Sequence, residues 1–167
     1  EEVQQLINRT ESVSPKDGAR VIARAWVDSN YKRKLLSEPK LTLEDSGYGE
    51  LPEDPVVVVV ENTDEVRHLV VCTLCSCYPR ALLGRPPDWY KSFNYRKRAV
   101  NDPRGVMSEF GLVVPDAVEV RVHDSTADIR YLVIPARPAG TENLEVDELE
   151  QLVTRDSMIG VADALSV

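Results

Sequence analysis

Three cysteines crowd into Val71-Cys72-Thr73-Leu74-Cys75-Ser76-Cys77, and the 167-residue chain has no others. A lone free cysteine is usually a small buried hydrophobe, but three thiols so close together are a poor filling for a core. An odd number cannot pair fully, and Cys75 and Cys77 stand too close for an unstrained disulfide. A metal suits such crowding. Structural zinc wants four tetrahedral ligands, usually from two separated pairs, and here His68 or His123 would have to complete the set. The other geometry is a claw. Cys75 and Cys77 flank one residue, so their thiolates can share a plane with the backbone nitrogens of Ser76 and Cys77. Cys72 can add a thiolate from the axial direction. Five positions are then filled and a sixth stays open, as in catalytic rather than structural metal sites. Deprotonated backbone amides call for a strongly Lewis-acidic ion such as a trivalent transition metal.

The elements around this loop can be read from local signals. Ser14, Pro15 and Asp17 mark a helix start, combining a cap, a residue suited to the first helical position and an acid at the positive end. Ala19, Ile22, Ala23 and Trp26 follow at helical spacing, and after a break at residues 27–29 a second helical stretch ends before Pro39. Residues 40–54, rich in acids, Gly and Pro, read as loop. Strands are expected near 55–60, as a buried valine run, and near 66–72, joined by Asn62-Thr63-Asp64. The second runs straight into the cysteines. A helix begins near Asp88 and carries Trp89, Tyr90, Phe93 and Tyr95, of which Trp89, Tyr90 and Tyr95 are read as packing residues. Pro103 opens another short helix that Gly111 closes. Val118, Val120 and Val122 alternate with polar residues as a half-buried strand. Tyr131 to Ile134 is expected to pair with it across the Asp124–Asp128 turn. A last helix runs near residues 146–154. Sheets with segregated helices and no regular βαβ alternation give an α+β class.

Composition narrows the function. Apolar residues make up 43% and charged residues 29%, as in globular domains. No apolar run approaches the roughly 20 residues of a membrane span. The net charge of −8 argues against nucleic acid as partner. The basic stretch Lys91, Arg96, Lys97, Arg98, Arg104 reads as a solvated face or a surface for a partner subunit. The polar start (Glu1, Glu2, Gln4, Gln5) does not read as a secretory signal. Clustered cysteines without such a signal suggest a cytoplasmic metal or redox site.

The cysteine segment resembles the metal-binding signature of nitrile hydratase α subunits, with thiocyanate hydrolase γ subunits as close relatives. Thr73 is similar to the cobalt type of that family, where the iron type usually carries serine. Similar family segments are Gly18-Ala19-Arg20-Val21 through Arg24-Ala25-Trp26-Val27-Asp28 and Gly84-Arg85-Pro86-Pro87-Asp88-Trp89-Tyr90-Lys91-Ser92. So are Asp102-Pro103-Arg104-Gly105, Arg137-Pro138-Ala139-Gly140-Thr141-Glu142 and Thr154-Arg155-Asp156-Ser157-Met158-Ile159-Gly160. The segments around Arg137 and Asp156 are read as structural.

The resemblance implies a four-layered α/β/β/α fold, with residues 1–39 as an N-terminal helical arm and 40–167 as the metal-binding catalytic domain of one structural unit. It implies one Co3+ per chain, rather than iron, on Cys72, Cys75, Ser76 and Cys77. Cys72 would be the axial thiolate, Cys75 a sulfinate and Cys77 a sulfenate. The implied reaction hydrates a nitrile to its amide, with water or the Cys77 sulfenate oxygen as nucleophile and Ser76 as a hydrogen-bonding neighbour. A partner β subunit would supply arginines to the oxidised sulfurs, and a metallochaperone could load the metal. Two departures stand out. The family's Tyr-Pro-Trp is Tyr78-Pro79-Arg80 here, which suggests a bulkier or more polar nitrile, and the arm is shorter by about one helix. The rivals are a thiocyanate hydrolase γ subunit and, from another class, a non-catalytic zinc or metal-carrier module.

Overall fold

The computed structural model describes residues 13–48, 51–53 and 55–167, so the start of the expected arm lies outside the described residues. Helix α1 (Pro15–Val27) begins as the local signals dictate. Ser14 accepts from Lys16 N, and the Asp17 carboxylate accepts from Ser14 N at 2.9 Å. Its apolar face is buried through Ala19, Val21, Ile22 and Ala25. Each large side chain so buried stabilises the fold by roughly 1.5–3 kcal/mol. At Gly18 an added Cβ would sit 2.8 Å from Met158 Sδ and 2.9 Å from Leu83 Cδ2, so the missing side chain sets how closely α1 approaches its neighbours. Asp28 ends α1 and caps α2 (Ser29–Ser37), accepting from Asn30 N and Tyr31 N at 3.0 Å.

The expected loop after Pro39 is partly helical. Pro39 opens α3 (Pro39–Leu43), which widens into a π-turn over Glu44–Tyr48, with Gly47 at φ 91°. Buried Thr42 and Leu43 and the Ser46 Oγ donation to Thr42 O at 2.6 Å hold this turn against its acidic, glycine-rich composition. The aromatic helix is also two pieces. Helix α5 (Asp88–Lys91), after the one-turn α4 (Arg80–Leu83), stops at Ser92. The Ser92 hydroxyl then caps α6 (Phe93–Asn101) by accepting from Tyr95 N. Helices α7 (Pro103–Glu109), α8 (Val146–Glu150) and α9 (Arg155–Ile159) complete the set among the described residues. The helix expected over 146–154 ends at Glu150, and Thr154 caps α9, a further short helix beyond it. Gly160, at φ 94°, closes α9, and a Cβ there would lie 1.8 Å from His68 O.

The strands form where expected but choose other partners. Strands β1 (Val56–Glu61) and β4 (Ile129–Ile134) pair in parallel, as do β2 (Val66–Val71) and β3 (Glu119–Asp124). The expected pairing of β3 with β4 is therefore overturned. Each short turn carries the chain from one two-stranded sheet to the other instead of folding it back. At residues 62–65 this crossing is fixed by Asn62, whose N–H donates to Ile134 O and whose Oδ1 accepts from His68 N. At the second crossing Ser125 N donates to Val71 O, and Thr126 N to Ile129 O. With a single strand partner, the valine run of β1 is only partly covered: Val59 is buried and Val56 is 49% exposed.

The two sheets touch, β2 lying against β4, and the helices flank them: α2 and α3 on β1, α6 on β2, α7 on β3 and α9 on both β2 and β4. No described helix is long and apolar enough to cross a membrane. Between the sheets, His68 Nδ1 and His123 Nε2 are 2.7 Å apart, and the Tyr131 ring lies 4.8 Å from that of His123.

Burial, then the adjacent His68 and Arg121, lower the His123 pKa from 6.5 to about 4. The His68 pKa is lowered too, chiefly by burial, with the Glu61 backbone and Glu119 opposing and Arg121 assisting. A histidine whose folded pKa is depressed binds its proton more readily in the unfolded chain. Its contribution to stability is therefore whole above about pH 6.5 and is lost progressively as the pH falls toward about 4. The Tm should fall over that window, and His123→Gln should flatten the decline. An equally steep decline in the variant would show that other groups cause it.

Candidate metal centre

Strand β2 delivers Cys72 to its own C-terminal end, fully buried, and the chain then turns outward. Leu74 is 81% exposed at the tip of that turn. Cys75 is exposed, Ser76 half-buried and Cys77 buried again. The turn folds the three sulfurs onto each other: Cys72 Sγ to Cys75 Sγ is 3.6 Å, Cys75 Sγ to Cys77 Sγ is 3.4 Å, and all three lie within 4.8 Å. Neither histidine joins this group, so the fourth ligand of a structural zinc is missing among the described residues.

The site meets the donor chemistry of a claw. Beyond the three sulfurs, the backbone nitrogens of Ser76 and Cys77 lie in the same turn, and Cys75 N–H donates to Cys72 Sγ at 3.3 Å. These contacts also tune acidity. The Cys77 thiol, the Ser76 N–H and the Cys72 thiol lower the Cys75 pKa to about 7. Burial, with Cys75 and Cys72 beside it, pushes the Cys77 thiol up to about 12, while the Arg130 guanidinium opposes that shift. Thiolates, not thiols, bind metals. The exposed Cys75 is thus the more readily ionised of these two, and Cys77 holds its proton more firmly.

Distant side chains hold the loop. Thr73 N donates to Asp124 Oδ1 at 2.9 Å and Thr73 Oγ1 to Asp124 Oδ2 at 2.6 Å. Arg96 on α6 donates to Thr73 O and Leu74 O. Tyr90, fully buried, donates to Cys77 O at 2.6 Å, and Tyr95 donates to Val70 O at the same distance. The Tyr78, Tyr90, Trp89 and Tyr95 rings stack edge-on or tilted under the loop, in keeping with their reading as packing residues. Arg130 Nη1 donates to Tyr78 O at 3.1 Å, leaving Arg130 Nε and Tyr78 OH as buried polar atoms without partners. Arg80 opens α4, exposed and outside the sulfur group. Asp124, Arg130 and the bonding role of Arg96 carry no local sequence signal, because each reaches its target across 22–52 residues.

A thiol claw on paired parallel strands defines a metal-binding protein of mixed α+β class. A family described as the nitrile hydratase alpha chain matches residues 1–162, and this chain belongs to it. The low-molecular weight cobalt-containing nitrile hydratase subunit alpha of Rhodococcus rhodochrous is 52% identical over 150 residues, covering 90% of this chain and 72% of the relative. The thiocyanate hydrolase subunit gamma of Thiobacillus thioparus is 41% identical over 161 residues, covering 90% of this chain and 66% of that relative. Among solved structures, a double mutant of an Fe-type nitrile hydratase from Comamonas testosteroni superposes with a TM-score of 0.90 at 39% identity, over 98% of this chain and 80% of that one.

Replacing Tyr90 by Phe leaves the buried Cys77 carbonyl without its donor, at a cost of about 1–3 kcal/mol. Urea unfolding should show that loss, and an unchanged midpoint would mean that water or another group satisfies the carbonyl.

Proposed function

We propose that this chain is the metal-holding subunit of a cobalt nitrile hydratase, which adds water to a nitrile to give the amide. The observation that carries this reading is the gathering of three sulfurs within 4.8 Å in one short turn that also holds the backbone nitrogens of Ser76 and Cys77. The sulfurs of Cys72, Cys75 and Cys77 and the nitrogens of Ser76 and Cys77 would hold one Co3+ ion. Bound there, cobalt supplies the Lewis acidity that makes a nitrile carbon electrophilic.

The chain's own groups do the rest. Cys75 and Cys77, once oxidised by dioxygen to sulfinate and sulfenate, would turn soft donors into oxygen acceptors beside the metal. The Cys77 oxygen takes a proton from the attacking water or attacks the nitrile carbon itself. In the second case a water must then add to the sulfur, break the old S–O bond and restore the sulfenate as the imidate leaves. The Ser76 hydroxyl orients that water. A β subunit covers the exposed tip and brings arginines to the oxidised sulfurs, and a metallochaperone assists loading. The reaction runs in the cytoplasm, whose reducing poise protects the thiols until they are loaded. The flanking helices and touching sheets form four layers, α/β/β/α, with residues 1–39 as an arm and 40–167 as the catalytic domain.

Arg80 bears on the substrate. An exposed cation three residues beyond Cys77 favours a polar nitrile over a small aliphatic one. The same charge would suit an anion, which makes thiocyanate hydrolysis the second reading, alongside the resemblance to a thiocyanate hydrolase subunit. Assays of the assembled enzyme on thiocyanate and on organic nitriles decide between them.

Two outcomes are expected. Protein co-expressed with its partner in cobalt-supplemented medium should carry about one cobalt per chain, and the 71–80 peptide should carry two oxygens on Cys75 and one on Cys77. Zinc with three unmodified cysteines would overturn the catalytic reading. Arg80→Trp should shift the ratio of kcat/KM for polar or anionic over small aliphatic substrates by about tenfold, and an unchanged ratio would remove Arg80 from the pocket.

A further inference from the structure

Among the described residues, no backbone–backbone hydrogen bond involves residues 72–77. Strand pairing ends at Val71↔Asp124, and the next backbone bond along the chain starts at Tyr78 O. Buried backbone polar groups need partners, and the partners of Thr73 N–H and of the Thr73, Leu74 and Cys77 carbonyls are all side chains. They divide by charge. The Asp124 carboxylate meets donors, the N–H and hydroxyl of Thr73, while the Arg96 guanidinium meets acceptors, the carbonyls of Thr73 and Leu74.

The Arg96 contacts are forked. Nε and Nη2 both approach Thr73 O, at 3.3 and 2.9 Å, and Nη2 also reaches Leu74 O at 2.8 Å. Only a planar guanidinium offers donors in that arrangement, whereas lysine offers a single point charge on a flexible stem. Arg96 is itself held in place. Its neighbour Tyr95 is buried and bonded to Val70 O, which ties α6 to the strand that ends in Cys72.

The second carbonyl matters most. Leu74 C=O belongs to the same peptide group as Cys75 N–H, and that N–H donates to Cys72 Sγ at 3.3 Å. Cationic donation to the oxygen of a peptide strengthens the donor at its nitrogen. A continuous path thus runs from the Arg96 guanidinium through the Leu74–Cys75 peptide to the sulfur of Cys72. Turning that peptide would remove the N–H from Cys72 and carry Cys75 away with it.

We propose that Arg96 is a positioning residue of the metal centre: by clamping the Thr73 and Leu74 carbonyls it fixes the Leu74–Cys75 peptide against Cys72, and so sets the spacing of the first two sulfurs. The inference rests on reading the cysteines as a metal site. It assigns a task to a residue whose sequence context suggests only a solvated or partner-facing charge.

The test compares Arg96→Gln, Arg96→Lys and Lys97→Gln with the parent, each co-expressed with the partner subunit in cobalt-limited medium. Cobalt per chain and the sulfur-to-cobalt absorption band are read alongside the Tm of metal-free protein. Arg96→Gln should lower cobalt per chain about tenfold and move the band, with a Tm within about 3 °C of the parent. Arg96→Lys should recover part of both signals, and Lys97→Gln, an exposed charge on the same helix, should match the parent. Full cobalt and an unmoved band in Arg96→Gln would overturn the assignment, as would an equal loss in Lys97→Gln. Should the glutamine variant fail to accumulate, parent-like cobalt and band in Arg96→Lys would overturn it instead. A parent that takes up no cobalt would sink the metal reading itself, a result distinct from any failure confined to Arg96.

Discussion

The thiol loop has no backbone partners of its own, and much of the surrounding architecture answers that constraint. A strand or helix satisfies its peptide groups internally, whereas residues 72–77 borrow side chains from α5, α6 and the end of β3 for Thr73 N–H and the Thr73, Leu74 and Cys77 carbonyls. The helices are therefore more than cover for the sheets. Helix α5 supports the inner end of the loop through Tyr90, α6 the outer end through Arg96, and β3 its second residue, Thr73, through Asp124. A turn held at three points by groups of different charge can keep three sulfurs together without a disulfide. It also keeps Cys75 open to solvent while Cys72 and Cys77 are sealed beneath it.

Acidity follows from the same arrangement. Two thiols separated by one residue differ in pKa, at about 7 and about 12, because one stands in water among donors and the other lies under the loop. Burial of one sulfur and donors around the other thus set these two thiols apart.

Local physics made much of this legible in the sequence. Ser14, Pro15 and Asp17 announced α1, Pro103 announced α7, and the crowding of Cys72, Cys75 and Cys77 announced the site. What the sequence hid was non-local. The turns at 62–65 and 125–128 look like hairpin connections, yet they pass the chain between sheets because parallel partners 53 and 73 residues away cover the strands better. The helix boundary at Ser92 is hidden because a serine inside an amphipathic stretch reads as a surface residue until its hydroxyl is seen capping. Arg96 and Asp124 were invisible as loop supports for the same reason as the strand pairing, since nothing near them in sequence names the carbonyl or amide they bind.

The parallel pairing also dictates an order of events during synthesis. The cysteines leave the ribosome before Arg96, well before Asp124, and before any residue of β3 or β4 that could complete either sheet. While the chain is growing, Cys72, Cys75 and Cys77 sit on a strand with no partner, as a flexible run of three thiols. Non-local pairing is slow to form, so the nascent chain has an extended interval in which these sulfurs are neither caged nor buried. The finished site is selective because of how it is built, but for most of its assembly it is an open soft-metal ligand.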